Sequence, residues 1–112
     1  MDVSRAVFME SGADLYAWLE RHGGEEREVL VAINKKASGK QTVTLEALQE
    51  AALCHGWVDT QIQRIDDDRY ANRFVPRRPG SNWSPTNREL ARRLLREGLI
   101  RPAGLVTLPD DL

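Results

Sequence analysis

The amino-acid sequence predicts an α+β fold, a small antiparallel sheet with three helices packed against it, in one domain that covers residues 1–112. A chain of 112 residues is the size of a single domain, and 41% hydrophobic with 29% charged residues is ordinary for a globular one. Two strand-like segments flank an acidic triplet and predict a central hairpin at about 57–75. Three other segments have apolar residues at helical spacing, and each is followed by glycine. This mixture of elements is typical of the α+β class.

The first third of the chain predicts one helix and one strand. Segment 12–22 carries Leu15 and Leu19 on one helical face, and Gly23 ends it. The apolar segment 6–9 before it fits either an edge strand or the chain that leads into the helix. Segment 28–33 is a continuous β-branched run, which is typical of a buried strand.

The central helix and the hairpin follow a polar, lysine-containing loop at 35–42. Thr44 is a suitable N-cap for a helix over 45–55, and Gly56 ends it. If the hairpin turn is symmetric about the three aspartates, alternation divides its side chains between two faces. The apolar face then holds Val58, Ile62, Tyr70 and Phe74, and the polar face holds Asp59, Gln61, Gln63 and Arg73. A slip of one residue exchanges the two faces.

A third helix is predicted over 85–97 by Ser84 as N-cap, a proline in the first turn and Gly98 as the stop. Arg88, Arg92 and Arg96 form one stripe along it, and we expect the segment 100–108 to pack back onto the body.

Composition limits the classes of function. One cysteine and two histidines are too few for a zinc site of the usual kind, so we expect no metal and no cofactor. The longest apolar runs are far too short for a membrane span, and the N-terminus has no leader pattern, so we expect a cytoplasmic protein. Cys54 and His55 are neighbours on a helix and point in different directions, which argues against a thiolate–imidazole pair.

An arginine-rich segment at 64–101 contains the candidate binding site. It has ten arginines and no lysine, and arginine forms planar, two-pronged bonds to carboxylates and phosphates. The N-terminus of the third helix also favours negative charge. We therefore expect an anion-binding pocket between the hairpin and that helix. Its candidate ligand-binding residues are Arg73, Arg77, Arg78, Asn82, Trp83, Ser84 and Asp59.

The same residues have a purely structural interpretation. The arginines then pair with Asp59, Asp66 and Asp67, while Trp83 fills the core beside Trp57. Asp59 in particular follows Trp57 on a strand and fits an ion pair with Arg73 better than a catalytic role.

Three sequence blocks resemble the YdeI/OmpD-associated family, also called bacteriocin-protection proteins. They are Ala52-Leu53-Cys54-His55-Gly56-Trp57-Val58-Asp59, Ile65-Asp66-Asp67-Asp68-Arg69-Tyr70 and Arg73-Phe74-Val75-Pro76-Arg77-Arg78-Pro79-Gly80-Ser81-Asn82-Trp83-Ser84. The resemblance covers about 15–105 and implies a bacterial or archaeal protein with a role in stress or in tolerance of bacteriocins or antimicrobial peptides. It implies no catalytic residues.

These observations favour a non-enzymatic protein that binds a small anionic ligand, as a monomer or weak homodimer. The first alternative is an interaction module whose basic helix face binds an acidic protein or single-stranded nucleic acid. The acidic pI of 6.1 disfavours nucleic acid. The second alternative is an enzyme on a small phosphorylated or carboxylated substrate, for which Asp59 is the only candidate acid or base.

Overall fold

A computed structural model describes all 112 residues and confirms the α+β fold. Its helices are α1 (Gly12–His22), α2 (Leu45–Cys54), α3 (Pro85–Arg96) and the short α4 (Pro102–Leu105), and its strands are β1 (Val7–Phe8), β2 (Val29–Asn34), β3 (Trp57–Arg64) and β4 (Arg69–Pro76). The longest helix has twelve residues, which is too short to cross a bilayer.

The sheet has the strand order β1-β2-β4-β3. The pairs β2–β4 and β4–β3 are antiparallel, as the sequence predicts, whereas β1 pairs with β2 in parallel. The sheet is therefore mixed. The apolar segment 6–9 supplies an edge strand, and α1 is the crossover that a parallel pair requires.

Side-chain caps begin the three long helices where the sequence provides them. The hydroxyl oxygens of Ser11, Thr44 and Ser84 each accept a hydrogen bond from the backbone N–H three residues later, at 3.1 Å. Gly56 and Gly98 follow α2 and α3 with positive φ angles of 76° and 70°. Glycine reaches this conformation at little cost, so the predicted ends of both helices are confirmed.

Two clusters of buried side chains form the core. The larger one joins α1 and α2 to one face of the sheet, and its fully buried members are Leu15, Val31, Ile33, Leu48 and Phe74. The smaller one joins α2 to α3 and the C-terminal segment through Leu53, Cys54, Ala91, Leu94 and Ile100. The three long helices thus pack against the sheet, with α3 held chiefly through α2.

The predicted division of the hairpin into two faces is only partly correct. A β-bulge between Asp59 and Gln61 places an extra residue in β3, which reverses the alternation of side chains on the far side of the bulge. Asp59 therefore lies opposite Phe74 and not on the face of Arg73, and Val58 lies opposite Val75 on the outer face. Ile62 keeps the face of Phe74 but is 62% exposed on the edge strand.

Candidate functional site

The loop between β4 and α3 is held against the end of α2. The backbone N–H of Arg77 donates to the carbonyl of Gly56 at 2.8 Å, and that of Ser81 donates to the carbonyl of Arg78 at 3.2 Å. Gly80 turns the chain with a positive φ of 72°. The start of the loop is therefore anchored at Arg77, and the segment 78–81 forms a hydrogen-bonded turn.

A cleft of about 770 Å³ lies between this loop, the first turns of α3 and the C-terminal segment. We call it the loop cleft. The loop and α3 line it with Arg77, Arg78, Pro79, Gly80, Ser81, Asn82, Trp83 and Arg88, and the C-terminal segment lines it with Val106, Thr107, Leu108, Pro109 and Asp110. Its volume is in the range of small-molecule sites.

Arg77 is the central charged group of the loop cleft. Its guanidinium carbon lies 3.9 Å from the centroid of the Trp83 ring, a stacked cation–π contact. One guanidinium nitrogen lies 3.4 Å from the hydroxyl of Ser81, and the buried Nε has no hydrogen-bond partner. Burial lowers the pKa of Arg77, and the negative charge of Asp59 acts in the opposite direction. No carboxylate forms an ion pair with it, so its charge is available to a ligand.

Two further arginines add positive charge to the loop cleft. Arg78 is exposed and takes part in no ion pair. Arg88 of α3 bonds to Asp111 at 3.1 Å, but the Asp111 side chain is 77% exposed. Exposed pairs contribute little stability, so a ligand anion can replace Asp111 at small cost.

The structure brings together only part of the predicted site. Arg77, Arg78, Asn82 and Trp83 line the same cleft, and Trp83 also packs against the smaller core cluster. Arg88 and the C-terminal residues 106–110 also line the loop cleft, although neither was among the predicted ligand-binding residues. The prediction that 100–108 packs back onto the body, together with the arginine stripe of α3, was the signal that could have located them.

Three predicted ligand residues lie outside the loop cleft. Arg73 projects from the outer face of the sheet and bonds to Glu28 at 2.5 Å. Asp59 faces α2 because of the bulge, and it accepts a hydrogen bond from the Gln49 amide at 3.3 Å. Ser84 caps α3 and does not line the loop cleft.

The alternative prediction, in which the arginines pair with Asp59, Asp66 and Asp67, is only partly correct. Asp67 pairs with Arg64 beside the turn, and Asp66 accepts hydrogen bonds from two backbone N–H groups, which lower the pKa of Asp66. These carboxylates do not neutralise the loop cleft. Trp57 packs against the ring of Trp18, with centroids 6.1 Å apart, and not beside Trp83.

Cys54 and His55 do not form a reactive pair. Cys54 is 2% exposed, and burial raises the pKa of its thiol to about 11. His55 uses its two ring nitrogens on the carbonyl of Ala51 at 3.0 Å and on the carboxylate of Glu20 at 3.1 Å. Both residues are parts of the core.

The fold and the loop cleft define a small α+β protein with a basic recess beside its last long helix. Residues 7–107 match the family described as Domain of unknown function (DUF8412), and the chain belongs to that family. No curated protein and no solved structure shows a significant match to the chain.

Proposed function

We propose that this protein binds a small anionic ligand in the loop cleft and carries out no chemistry on it. The observation that carries the proposal is the state of Arg77. Its guanidinium is half-buried, stacked on Trp83 and without a carboxylate partner, and its Nε has no acceptor. One terminal guanidinium nitrogen lies 3.4 Å from the Ser81 hydroxyl, and the other is neither buried nor hydrogen-bonded, so it is the donor that a bound anion can reach.

The wall of the loop cleft supplies complementary contacts for such a ligand. Arg77 and Arg78 offer N–H groups that match the oxygens of a phosphate or carboxylate. The side chain of Asn82 adds a donor and an acceptor, while Trp83 and Pro79 offer apolar surface. A compound with one anionic group on a flat or apolar body fits this arrangement.

Binding is favoured over catalysis because the loop cleft contains few groups for acid–base or nucleophilic work. Neither histidine lines it, nor does the cysteine, and its one carboxylate is Asp110. Asp59, the candidate base of the enzymatic alternative, does not line the loop cleft and is bonded to Gln49 on the helix side of the hairpin. That placement weakens the alternative.

The interaction-module alternative depends on the basic face of α3, and that face is largely paired internally. Arg92 bonds to Glu89 at 2.9 Å, and Arg93 bonds to both Glu50 and Glu97. Of the arginines Arg92, Arg93 and Arg96, only Arg96 forms no ion pair. Because these carboxylates neutralise most of its positive charge, this face of α3 should attract an acidic protein or a nucleic acid only weakly.

The physiological role stays a prediction from the resemblance to the YdeI/OmpD-associated family. That resemblance implies a function in stress or antimicrobial-peptide tolerance. A basic cleft repels cationic peptides, so a tolerance role would act through an anionic ligand and not through capture of such peptides. The cytoplasmic location and the monomeric or weakly dimeric state likewise stay predictions.

The proposal is tested by titrating the protein with inorganic phosphate and with phenyl phosphate while recording amide NMR spectra. Shifts should concentrate at 77–83 and 106–110, and the phenyl ring should tighten binding. Arg77→Ala should abolish the shifts, whereas the matched control Arg96→Ala, an exposed and unpaired arginine outside the cleft, should leave them unchanged. Absence of shifts, or equal effects of both variants, would refute the proposal.

A further inference from the structure

A second basic recess lies on the other side of the loop that follows β4. This outer groove has a volume of about 680 Å³ and extends onto the outer face of the hairpin. Its lining residues are Arg27, Val58, Thr60, Arg73, Val75, Pro76, Arg77, Arg78, Pro79 and Ser81. Four of the ten are arginines, and none is a carboxylate. The proposed function makes no use of this recess.

The outer groove and the loop cleft share their middle wall. Arg77, Arg78, Pro79 and Ser81 line both recesses, so the two lie back to back around one short loop. Arg78 is exposed there and has no ion pair, so its flexible side chain can serve either recess. A ligand that reaches over the loop therefore meets arginine side chains in both recesses.

Most of this charge is not compensated by the protein itself. Arg27 is exposed and forms no ion pair, like Arg78. Arg73 is the exception, because it bonds to Glu28, and the two side chains are 30% and 41% exposed. One anionic group in the loop cleft leaves the guanidinium of Arg27 without a partner. A second anionic group on the same ligand would supply one.

We propose that the ligand is an oligophosphate, whose chain of phosphate groups passes over the loop from the loop cleft into the outer groove. This inference rests on the proposed function and names the ligand class of the same site. A terminal phosphate carries a charge of about −1.5 to −2 and three acceptor oxygens, which suits several arginines within a short span better than a carboxylate does.

The aromatic residues disfavour single-stranded nucleic acid as the source of these phosphates. Base recognition in single strands uses free aromatic faces for stacking. One face of Trp83 is covered by Arg77, and the ring of Phe8 on the outer sheet face lies 5.7 Å from the guanidinium of Arg69. Trp83 is the one aromatic residue that lines either recess, so the site offers charge for a phosphate chain and contact surface for a single flat group, but not for successive bases.

The test compares phosphate, pyrophosphate, tripolyphosphate and a thymidine tetranucleotide by calorimetry at fixed ionic strength. Affinity should rise from phosphate to tripolyphosphate by at least about tenfold, which is about 1.4 kcal/mol. Arg27→Ala and the charge reversal Arg27→Glu should remove most of this gain and leave phosphate affinity within about twofold, since Arg27 lines only the outer groove. Arg96→Ala is the charge-matched control for Arg27→Ala, and it should change neither the affinity for phosphate nor the gain in affinity from phosphate to tripolyphosphate.

The outcomes separate the two proposals. If Arg77→Ala weakens phosphate binding but both Arg27 variants bind tripolyphosphate like the native protein, the oligophosphate inference is wrong and the anion site stands. If no probe binds, or Arg96→Ala weakens binding as much as Arg27→Ala, both are wrong. If the tetranucleotide binds more tightly than tripolyphosphate, the ligand class is nucleic acid and the oligophosphate inference is overturned.

Discussion

The guanidinium of Arg77 stacks on the indole ring of Trp83 with its central carbon 3.9 Å from the ring centroid. The two residues come from opposite ends of the same loop, and Trp83 is itself packed against the smaller core cluster. The core cluster therefore fixes the orientation of the Trp83 ring, and this ring in turn positions the guanidinium of Arg77. This order of dependence makes Arg77 a pre-positioned donor, unlike the exposed Arg78 beside it.

Replacing Arg77 with lysine keeps the charge and removes the planar group, so it tests the geometry of the site. We expect Arg77→Lys to weaken phosphate binding about tenfold, because an ammonium neither stacks on the indole ring nor offers a two-pronged contact. Arg78→Lys is the matched control and should stay within about twofold, since Arg78 makes no such stack. Calorimetry measures both. Equal affinities of the two variants would show that only net charge matters.

Local sequence signals predicted most of the fold. The caps at Thr44 and Ser84 and the glycines after α2 and α3 act within a few residues, so they can be recognised without any tertiary information. The acidic turn placed the hairpin correctly for the same reason.

The site was harder to predict because it depends on registers and on distant segments. The bulge after Asp59 leaves no clear signature in the sequence, yet it moves Asp59 to the helix side and away from Arg73. The C-terminal segment 106–110 forms the wall of the loop cleft that faces the loop, and no local sequence pattern predicts that this segment lies near Arg77. Only the compact part of the motif, from Arg77 to Trp83, held together as predicted.

Gly56 is predicted to be the glycine whose replacement costs most among those with positive φ. Its φ is 76°, and an added Cβ would lie 2.6 Å from the carbonyl oxygen of Ala103. Gly56→Ala should destabilise the protein by about 2–4 kcal/mol, because strain in the left-handed region adds to a clash with backbone. Gly39→Ala is the control, since its φ of 74° has the same strain in open space, and it should cost about 1 kcal/mol. Urea unfolding measures both, and equal losses would contradict the clash.

The buried thiol of Cys54 should make stability fall in alkaline solution. Burial raises the pKa of Cys54 from 9.0 to about 11, so the folded state favours the protonated thiol. This contribution is complete below about pH 9 and is lost as the pH rises through about 11, on the order of 2 kcal/mol in total. Cys54→Ala removes it.

The check is the difference in unfolding free energy between the native protein and Cys54→Ala, measured at pH 7 and at pH 10.5. Groups that do not sense Cys54 cancel in this difference. Tyr16 does not cancel fully, because the Cys54 charge contributes to the raised pKa of Tyr16, and this part acts in the same direction as the thiol itself. The native protein should lose more stability than the variant over that interval. Identical losses would place the thiol in contact with solvent.

Glu20 should be essential for holding the C-terminal wall of the loop cleft. One of its carboxylate oxygens accepts from Nε2 of His55 at 3.1 Å and from Nε of Arg101 at 2.7 Å, which joins α1 to the end of α2 and to the start of α4. Glu20→Ala should lower the free energy of unfolding by about 1–3 kcal/mol, because it leaves the buried His55 without one acceptor. Hydrogen exchange should also accelerate at the amides of Gly104 and Leu105, which donate to the carbonyl of Arg101.

Glu25→Ala removes an exposed carboxylate that takes part in no ion pair, and it should change stability by less than about 0.5 kcal/mol. The comparison separates loss of a specific contact from loss of one negative charge. Because 106–110 follows directly on α4, the Glu20 variant should also bind phosphate more weakly than the Glu25 variant does. Unchanged exchange at Gly104 together with native phosphate affinity would mean that the C-terminal segment is held without Glu20, through the bond from the Arg101 amide to the carbonyl of Cys54.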